Sequence, residues 1–279
     1  MSATLPNPVP ISAKDSASTA RAGDELPGDE LPGNELRGNE LPKKDPRQRL
    51  IVALDGSTAA AARQIVAAVG DSALTYKVGM QLYTAEGPQV VRDLVASGRK
   101  VFLDLKYHDI PNTVGAAVRE AAQLGVSMLT VHAAGGSRML RAAVESANRA
   151  AAGSKAGLMV LAVTVLTSMD EADLEPTGVP GQVKAQVLRL ATLALAEGCQ
   201  GVVTSAREAS ALRSKLGHNF AIVTPGVRPA GSGHADQRRV VTPAEAIAAG
   251  ASHIVVGRPI TEAADPAAEA KAILGQISG

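Results

Sequence analysis

The feature that most constrains the fold of this chain is a regular alternation of strand-like and helix-like segments that begins near residue 50. Short apolar, β-prone runs are each followed by a segment with helical periodicity, and the connections between them are short. Eight strands are predicted in this way, at residues 50–54, 74–78, 101–106, 128–132, 158–166, 201–204, 220–224 and 253–256. Such alternation is typical of a parallel sheet that is covered by helices.

Eight strand–helix repeats over about 230 residues predict a (β/α)8 TIM barrel, a fold that usually takes about 250 residues. The alternative is an open, doubly wound sheet. It is less favoured because the first strand ends in Leu54-Asp55-Gly56-Ser57 and not in the glycine-rich dinucleotide fingerprint. The predicted fold class is therefore α/β, with residues 49–279 forming one barrel domain.

Residues 1–48 have a different composition and include four tandem pentapeptides between Gly23 and Pro42. Each pentapeptide contains a single Leu, which is too little apolar surface to offset the entropy lost on ordering. The units are also much shorter than the repeats that build solenoids. We expect a disordered, low-complexity tail that has no signal-peptide or transit-peptide pattern and that turnover does not require.

Composition excludes several classes of protein. The formal net charge is +1, Trp is absent, and the aromatic residues are three Tyr and two Phe, so a nucleic-acid surface is not expected. No apolar run is long enough to span a bilayer. Cys199 is the only cysteine, which rules out a disulfide framework and a cysteine-based metal site. A cytoplasmic protein is the simplest expectation.

Charged residues are predicted at the C-terminal ends of the first three strands, where TIM barrels carry their active sites. Asp55 ends the first strand and Lys77 the second, while Asp104 and Lys106 lie on one face of the third. A surface ion pair is the alternative for Asp104 and Lys106 alone. An alternating Asp/Lys network is more typical of an active site, because buried charges are costly unless they are paired.

A second group of candidate residues ends strands seven and eight. The segments Thr224-Pro225-Gly226-Val227-Arg228 and Val256-Gly257-Arg258-Pro259 each bring Gly and Arg to a strand end. Loops at these two places often bind phosphate in TIM barrels, although each motif alone could be ordinary turn chemistry. The polar connection 228–241 is a candidate lid, with a flexible loop of no function as the alternative. His108 and His132 have no carboxylate-rich ligand set beside them, so no metal site is predicted.

The segment Phe102–Thr113 resembles the signature of the orotidine 5′-phosphate decarboxylase family. The resemblance extends over residues 49–279, with these supporting matches: Leu54-Asp55, Tyr76–Gly79, Val131–Ala133, Val165–Ser168, Thr224–Arg228, Asp236-Gln237 and Val256–Pro259. An Asp-x-Lys-x-x-Asp motif alone is shared with related sugar-phosphate decarboxylases and hexulose-phosphate synthases. The longer string from Asp104 to Thr113, together with the Arg228 and Gln237 segments, is more specific.

The resemblance implies a role for each matching residue. It implies that Lys106 donates a proton to C6 and that Asp104 faces the scissile carboxylate, with Lys77 completing the charge network. Asp109 and Thr113 would reach the active site of a second subunit. The implied substrate contacts are Asp55 and Lys77 at the ribose, Thr167 or Ser168 at the pyrimidine, and Arg228, Gln237, Gly257 and Arg258 at the phosphate.

The activity implied by the resemblance is the decarboxylation of orotidine 5′-phosphate to UMP by a homodimer that needs no cofactor and no metal. No residue pattern for pyridoxal phosphate or thiamine is present, so a positioned lysine is expected to supply the chemistry. Two alternatives remain open. One is a related sugar-phosphate decarboxylase or aldolase on the same fold, and the other is a non-catalytic protein that binds a phosphate ligand.

Overall fold

The computed structural model describes residues 45–151, 157–229 and 241–278. The predicted tail therefore lies outside the described residues except for residues 45–48. In that segment the Asp45 carboxylate accepts a hydrogen bond from the backbone N–H of Arg47 and caps a 3-10 helix, Pro46–Gln48, directly before the first strand. No helix within the described ranges is long and apolar enough to cross a bilayer.

Eight parallel strands close into a barrel in which each strand pairs with its neighbours in sequence and the last pairs with the first. They are β1 (Leu50–Leu54), β2 (Thr75–Gly79), β3 (Lys100–Tyr107), β4 (Met128–His132), β5 (Met159–Val163), β6 (Gly201–Val203), β7 (Ala221–Thr224) and β8 (His253–Val256). The predicted TIM barrel is confirmed. Its C-terminal strand ends form one opening, which is called the mouth below.

Helices follow the strands and form the outer layer. They are α1 (Ala59–Val69), α2 (Met80–Glu86), α3 (Gln89–Ala96), α4 (Pro111–Gln123), α5 (Gly136–Ala151), α6 (Glu171–Leu174), α7 (Val183–Ala196), α8 (Ala206–Leu216), α9 (Pro243–Ala248), α10 (Arg258–Thr261) and α11 (Pro266–Ile277). Three further 3-10 helices are Gly70–Ser72, Ala133–Gly135 and Glu175–Thr177. Several helices begin at recognisable caps; Thr242 and Glu245, for example, form a capping box at the start of α9.

The side chains of each strand divide between two apolar cores. The larger core lies between the strands and the helices and includes Leu103, Leu129 and Val256. The smaller core fills the barrel itself and is formed by Ile51, Ala53, Phe102, Met128, Leu161, Ala221, Val223 and Val255. Because side chains alternate between the two faces of a strand, residues two positions further along these strands point to the same interior and lie closer to the mouth.

Most predicted strands agree with the structure to within one residue at each end, and two elements differ by more. The fifth strand is predicted to extend to Leu166, but β5 ends at Val163, where the Thr164 hydroxyl donates to the carbonyl of Val203. A single helix is predicted after β2, but the chain forms α2 and α3 there, separated by Gly87 at φ 67°. The short α2 begins at Met80, directly after β2 ends at Gly79. Because no polar turn separates the two elements, the sequence does not mark the start of an additional helix.

Candidate active site

The barrel interior changes from apolar to charged towards the mouth. On β3, Phe102 belongs to the inner core, and Asp104 and Lys106 follow it on the same face. Asp55 follows Ala53 in the same way at the end of β1, and Lys77 lies on β2. The predicted charged residues of the first three strands are thus brought together at one place.

Four side chains form a line of alternating charge across β1, β2 and β3. The Lys77 ammonium lies 2.8 Å from Asp55 Oδ1 and 3.9 Å from Asp104 Oδ2, and the Lys106 ammonium lies 2.9 Å from Asp104 Oδ1. The side chains of Lys77 and Asp104 are 12% and 14% exposed, whereas that of Asp55 is 58% exposed. Each inner charge therefore has an opposite neighbour on both sides, which offsets its desolvation.

A bulge in β3 places Lys106 in this line. Leu103 pairs with Leu129 and Tyr107 pairs with Val131, so three residues of β3 lie opposite the single residue Thr130 of β4. Lys106 has φ 52°, and no other non-glycine residue in the described ranges has a positive φ. Backbone conformations of this kind are costly for residues with a side chain, and they concentrate at functional sites.

Gly79 leaves the space that the Lys77 ammonium occupies. A Cβ atom on Gly79 would lie 3.0 Å from Lys77 Nζ and 3.7 Å from Asp55 Oδ1. At the other side of the site, a Cβ atom on Gly257 would lie 3.4 Å from Asp55 Oδ2. The glycine at the end of β2 thus leaves room for the Lys77 ammonium between its two carboxylate partners.

The Gly79→Ala substitution tests this packing. We expect kcat/KM to fall by about tenfold, because the new methyl group displaces the Lys77 ammonium by a few tenths of an ångström from a network that requires close positioning. Gly56→Ala is the matched control, since a Cβ atom there meets no atom within 4 Å. Steady-state kinetics of both variants decide the question, and equal effects of the two substitutions would contradict it.

Two adjoining cavities open at the mouth and share Asp55, Lys77 and Asp104 as their common wall. One, of about 230 Å³, extends from these residues to the loops after β7 and β8. The other, of about 210 Å³, extends to Lys106 and to the start of α2 at Gly79 and Met80. A ligand that fills both cavities would pass directly over the charged line.

The loops after β7 and β8 form the far wall of the first cavity. Pro225, Gly226, Val227 and Arg228 line it from one side, and Gly257, Arg258 and Pro259 from the other. Gly226 has φ 75°, a conformation that glycine adopts without strain. Both predicted Gly/Arg motifs thus face one cavity, and their guanidinium groups and backbone N–H groups are suitable partners for a phosphate.

Two histidines lie beside Lys106. The rings of His108 and His132 stack with their centroids 5.4 Å apart. Burial, with smaller contributions from His108 and Lys106, holds the pKa of His132 below its ordinary value. The lowered pKa favours the neutral form of His132 at pH 7, which limits the positive charge beside the lysine. Among the residues that the structure describes, no three His, Cys, Asp or Glu side chains cluster as metal ligands would.

Several predicted site residues lie apart from the charged line. Asp109 is exposed between β3 and α4, and its carboxylate accepts a hydrogen bond from the backbone N–H of Ile110 at 2.6 Å. Thr113 is exposed in the first turn of α4. Thr167 is half-buried and Ser168 exposed in the loop after β5. Gln237 and most of the predicted lid lie outside the described residues.

Sequence reasoning missed two residues that shape the site. Thr130 was predicted to lie in a strand, but nothing in its neighbourhood marks it as a partner of β3. Its position two residues after the inner-core Met128 was the only available signal. Gly79 was noted only as part of a motif, and its close approach to Lys77 depends on a side-chain conformation that spacing does not reveal.

Comparisons with known proteins point to one family. The family model described as "Orotidine 5'-phosphate decarboxylase / HUMPS family" matches residues 48–273. An orotidine 5′-phosphate decarboxylase of Halorhodospira halophila is 54% identical over 230 residues, which cover 82% of this chain and 96% of the relative. One from Moorella thermoacetica is 50% identical over 233 residues, with 83% and 92% covered.

A solved structure is similar over the same part of the chain. The crystal structure of orotidine 5′-phosphate decarboxylase from Lactobacillus acidophilus matches with a TM-score of 0.75 and 39% identity, covering 82% of this chain and 99% of that one. Sequence and three-dimensional structure thus agree with the resemblance carried by residues 102–113. The chain belongs to the orotidine 5′-phosphate decarboxylase / HUMPS family.

Proposed function

We propose that the chain decarboxylates orotidine 5′-phosphate to UMP, the last step of de novo pyrimidine biosynthesis, without a cofactor. The order of groups along the two cavities carries this proposal. Cationic and glycine-rich loops lie at one end, Asp55, Lys77 and Asp104 form the wall that the two cavities share, and Lys106 lies at the other end. A nucleotide has its phosphate, ribose and base in the same order. The relatives at about 50% identity carry the name of this activity.

The proposed chemistry uses one lysine twice. Breaking the bond between C6 and the carboxylate releases CO2 and leaves the electron pair in an sp2 orbital at C6, outside the π system of the ring. The ammonium of Lys106 stabilises this charge and then transfers its proton to C6, forming the C–H bond of UMP. Asp104 faces the departing carboxylate and, through its 2.9 Å contact with Lys106, holds the ammonium in place.

The remaining site residues are assigned by position along the substrate. Asp55 and Lys77 are proposed to contact the ribose hydroxyls. Arg228, Gln237, Gly257 and Arg258 are proposed to bind the phosphate, and Thr167 or Ser168 is proposed to contact the pyrimidine. Support for the phosphate contacts comes from the fact that Arg228, Gly257 and Arg258 all line the first cavity. The assignments of Gln237 and of Thr167 or Ser168 rest on the family resemblance.

The protein is proposed to act as a homodimer in which Asp109 and Thr113 serve the neighbouring site. Large apolar side chains are exposed around the mouth, including Ile110 at 65% and Met80 at 56%. Ile110 lies next to Asp109, so a partner that covers the isoleucine would also meet the carboxylate. The division into a tail, residues 1–48, and a barrel domain, residues 49–279, and the cytoplasmic location also stay predictions.

Turnover in the presence of a chelator tests the proposed function. The full chain is expected to release CO2 from orotidine 5′-phosphate and form UMP at the same rate with and without EDTA, because lysine supplies the cation and the proton. A requirement for Mg²⁺, or activity on a keto-sugar phosphate alone, would favour the related sugar-phosphate enzymes instead. Binding without CO2 release would favour a ligand-binding protein. The identity of the relatives favours the decarboxylase over both.

A further inference from the structure

Thr130 connects the backbone of Lys106 to the carboxylate of Asp104. Its hydroxyl accepts a hydrogen bond from the Lys106 backbone N–H at 2.9 Å and donates one to Asp104 Oδ1 at 3.0 Å. The same Oδ1 atom accepts from the Lys106 ammonium at 2.9 Å. These three contacts form a closed ring through the side chains of both residues that are proposed to perform the chemistry.

The direction of each hydrogen bond in this ring is fixed. A backbone N–H can only donate, so the Thr130 oxygen must accept from Lys106 and is left with its own proton to give. The ionised carboxylate of Asp104 can only accept that proton. The hydroxyl is thus one donor to Asp104 that does not depend on the position of either lysine.

The bulge explains why a hydroxyl is needed at this place. Since Asp104, Leu105 and Lys106 all lie opposite Thr130, the ladder between β3 and β4 is interrupted there. The Lys106 N–H would otherwise be a buried donor in an unusual conformation, at φ 52°. The Thr130 side chain takes the place of the missing strand partner and holds the bulge in one conformation.

We propose that Thr130 is a positioning residue for the decarboxylation. Its hydroxyl holds the Lys106 backbone and the Asp104 carboxylate in their reactive arrangement. Thr130 is 0% exposed and lies behind Asp104 and Lys106, whose side chains are 14% and 25% exposed. It acts through these two residues and not through a substrate contact. The inference rests on the catalytic roles proposed above for Asp104 and Lys106.

The test compares Thr130→Val, Thr130→Ser and the control Thr164→Val. Valine keeps the shape but removes the hydroxyl, and we expect kcat to fall by about tenfold to one hundredfold while KM changes by less than about threefold. Serine keeps the hydroxyl and is expected to restore kcat to within about threefold of the unmodified protein. Thr164 is equally buried, at 2% exposed, and its hydroxyl donates to a backbone carbonyl away from Asp104 and Lys106.

Thermal unfolding of each variant separates positioning from a loss of folded protein. If kcat per folded molecule is the same in Thr130→Val and Thr164→Val, or if Thr130→Ser is as slow as Thr130→Val, the proposal is wrong. Hydrogen exchange at the Lys106 amide gives a readout without turnover and is expected to accelerate by about tenfold or more in Thr130→Val alone. An unchanged exchange rate would also overturn the proposal. Lack of turnover by the unmodified chain would instead contradict the proposed function.

Discussion

Replacing Lys106 by alanine is expected to lower kcat by at least about four orders of magnitude. The estimate combines about a hundredfold for lost charge stabilisation with about a hundredfold for lost proton donation, the lower ends of the usual ranges. Lys77, the other lysine of the charged line, cannot take over, because it lies on the far side of Asp104, 3.9 Å from Oδ2 and 2.8 Å from Asp55. Single-turnover measurement of CO2 release is sensitive enough to follow the residual rate.

Lys100→Ala is the matched control for this substitution. Lys100 lies at the start of the same strand, is exposed, and is separated from the mouth by the length of β3. Lys100→Ala is expected to leave kcat unchanged. Both variants are expected to keep an unfolding temperature close to that of the parent. A rate for Lys106→Ala within tenfold of the parent rate would show that the lysine is not the proton donor.

Mixing two inactive variants is expected to restore about a quarter of the parent activity if Asp109 serves the neighbouring subunit. Asp109→Ala alone is expected to lower kcat by about a hundredfold or more, because a charged group is removed from the site. In a 1:1 mixture with Lys106→Ala, half of the dimers contain both variants, and one of their two sites then carries no substitution. Activity is measured after the subunits have exchanged.

The matching control is a mixture of Lys106→Ala with Asp104→Ala. Both residues belong to one chain's charged line, joined at 2.9 Å, so no combination of these subunits has an intact site. This mixture is expected to stay inactive. If neither mixture recovers, although co-purification of differently tagged subunits shows that mixed dimers have formed, Asp109 acts within its own chain or not at all.

The sequence predicted the barrel because strands and helices alternate regularly and are joined by short connections. The placement of Asp104 and Lys106 on one face also followed from alternation along β3. The fold class predicted that candidate site residues would lie at the C-terminal ends of the strands. These predictions needed only local periodicity and a rule about where TIM barrels bind their ligands. The structure confirms the fold.

The bulge could not be predicted in the same way. It is defined by the register between β3 and β4: two successive pairs are separated by three residues on β3 but by only one residue on β4. Sequence periodicity treats each strand alone, so neither the positive φ of Lys106 nor the contact with Thr130 was visible. The close approach of the Lys77 ammonium to Gly79 was missed for a different reason, because it depends on a side-chain conformation that spacing does not reveal.

The left-handed backbone at Lys106 has a consequence for how this position tolerates change. At φ 52° glycine is the residue with the least strain, so folding by itself would select glycine there. The proposed chemistry instead requires the ammonium group of a lysine at the same place. Folding and the proposed reaction therefore favour different residues at position 106, and a search for more stable variants would be expected to remove the lysine unless activity were selected at the same time.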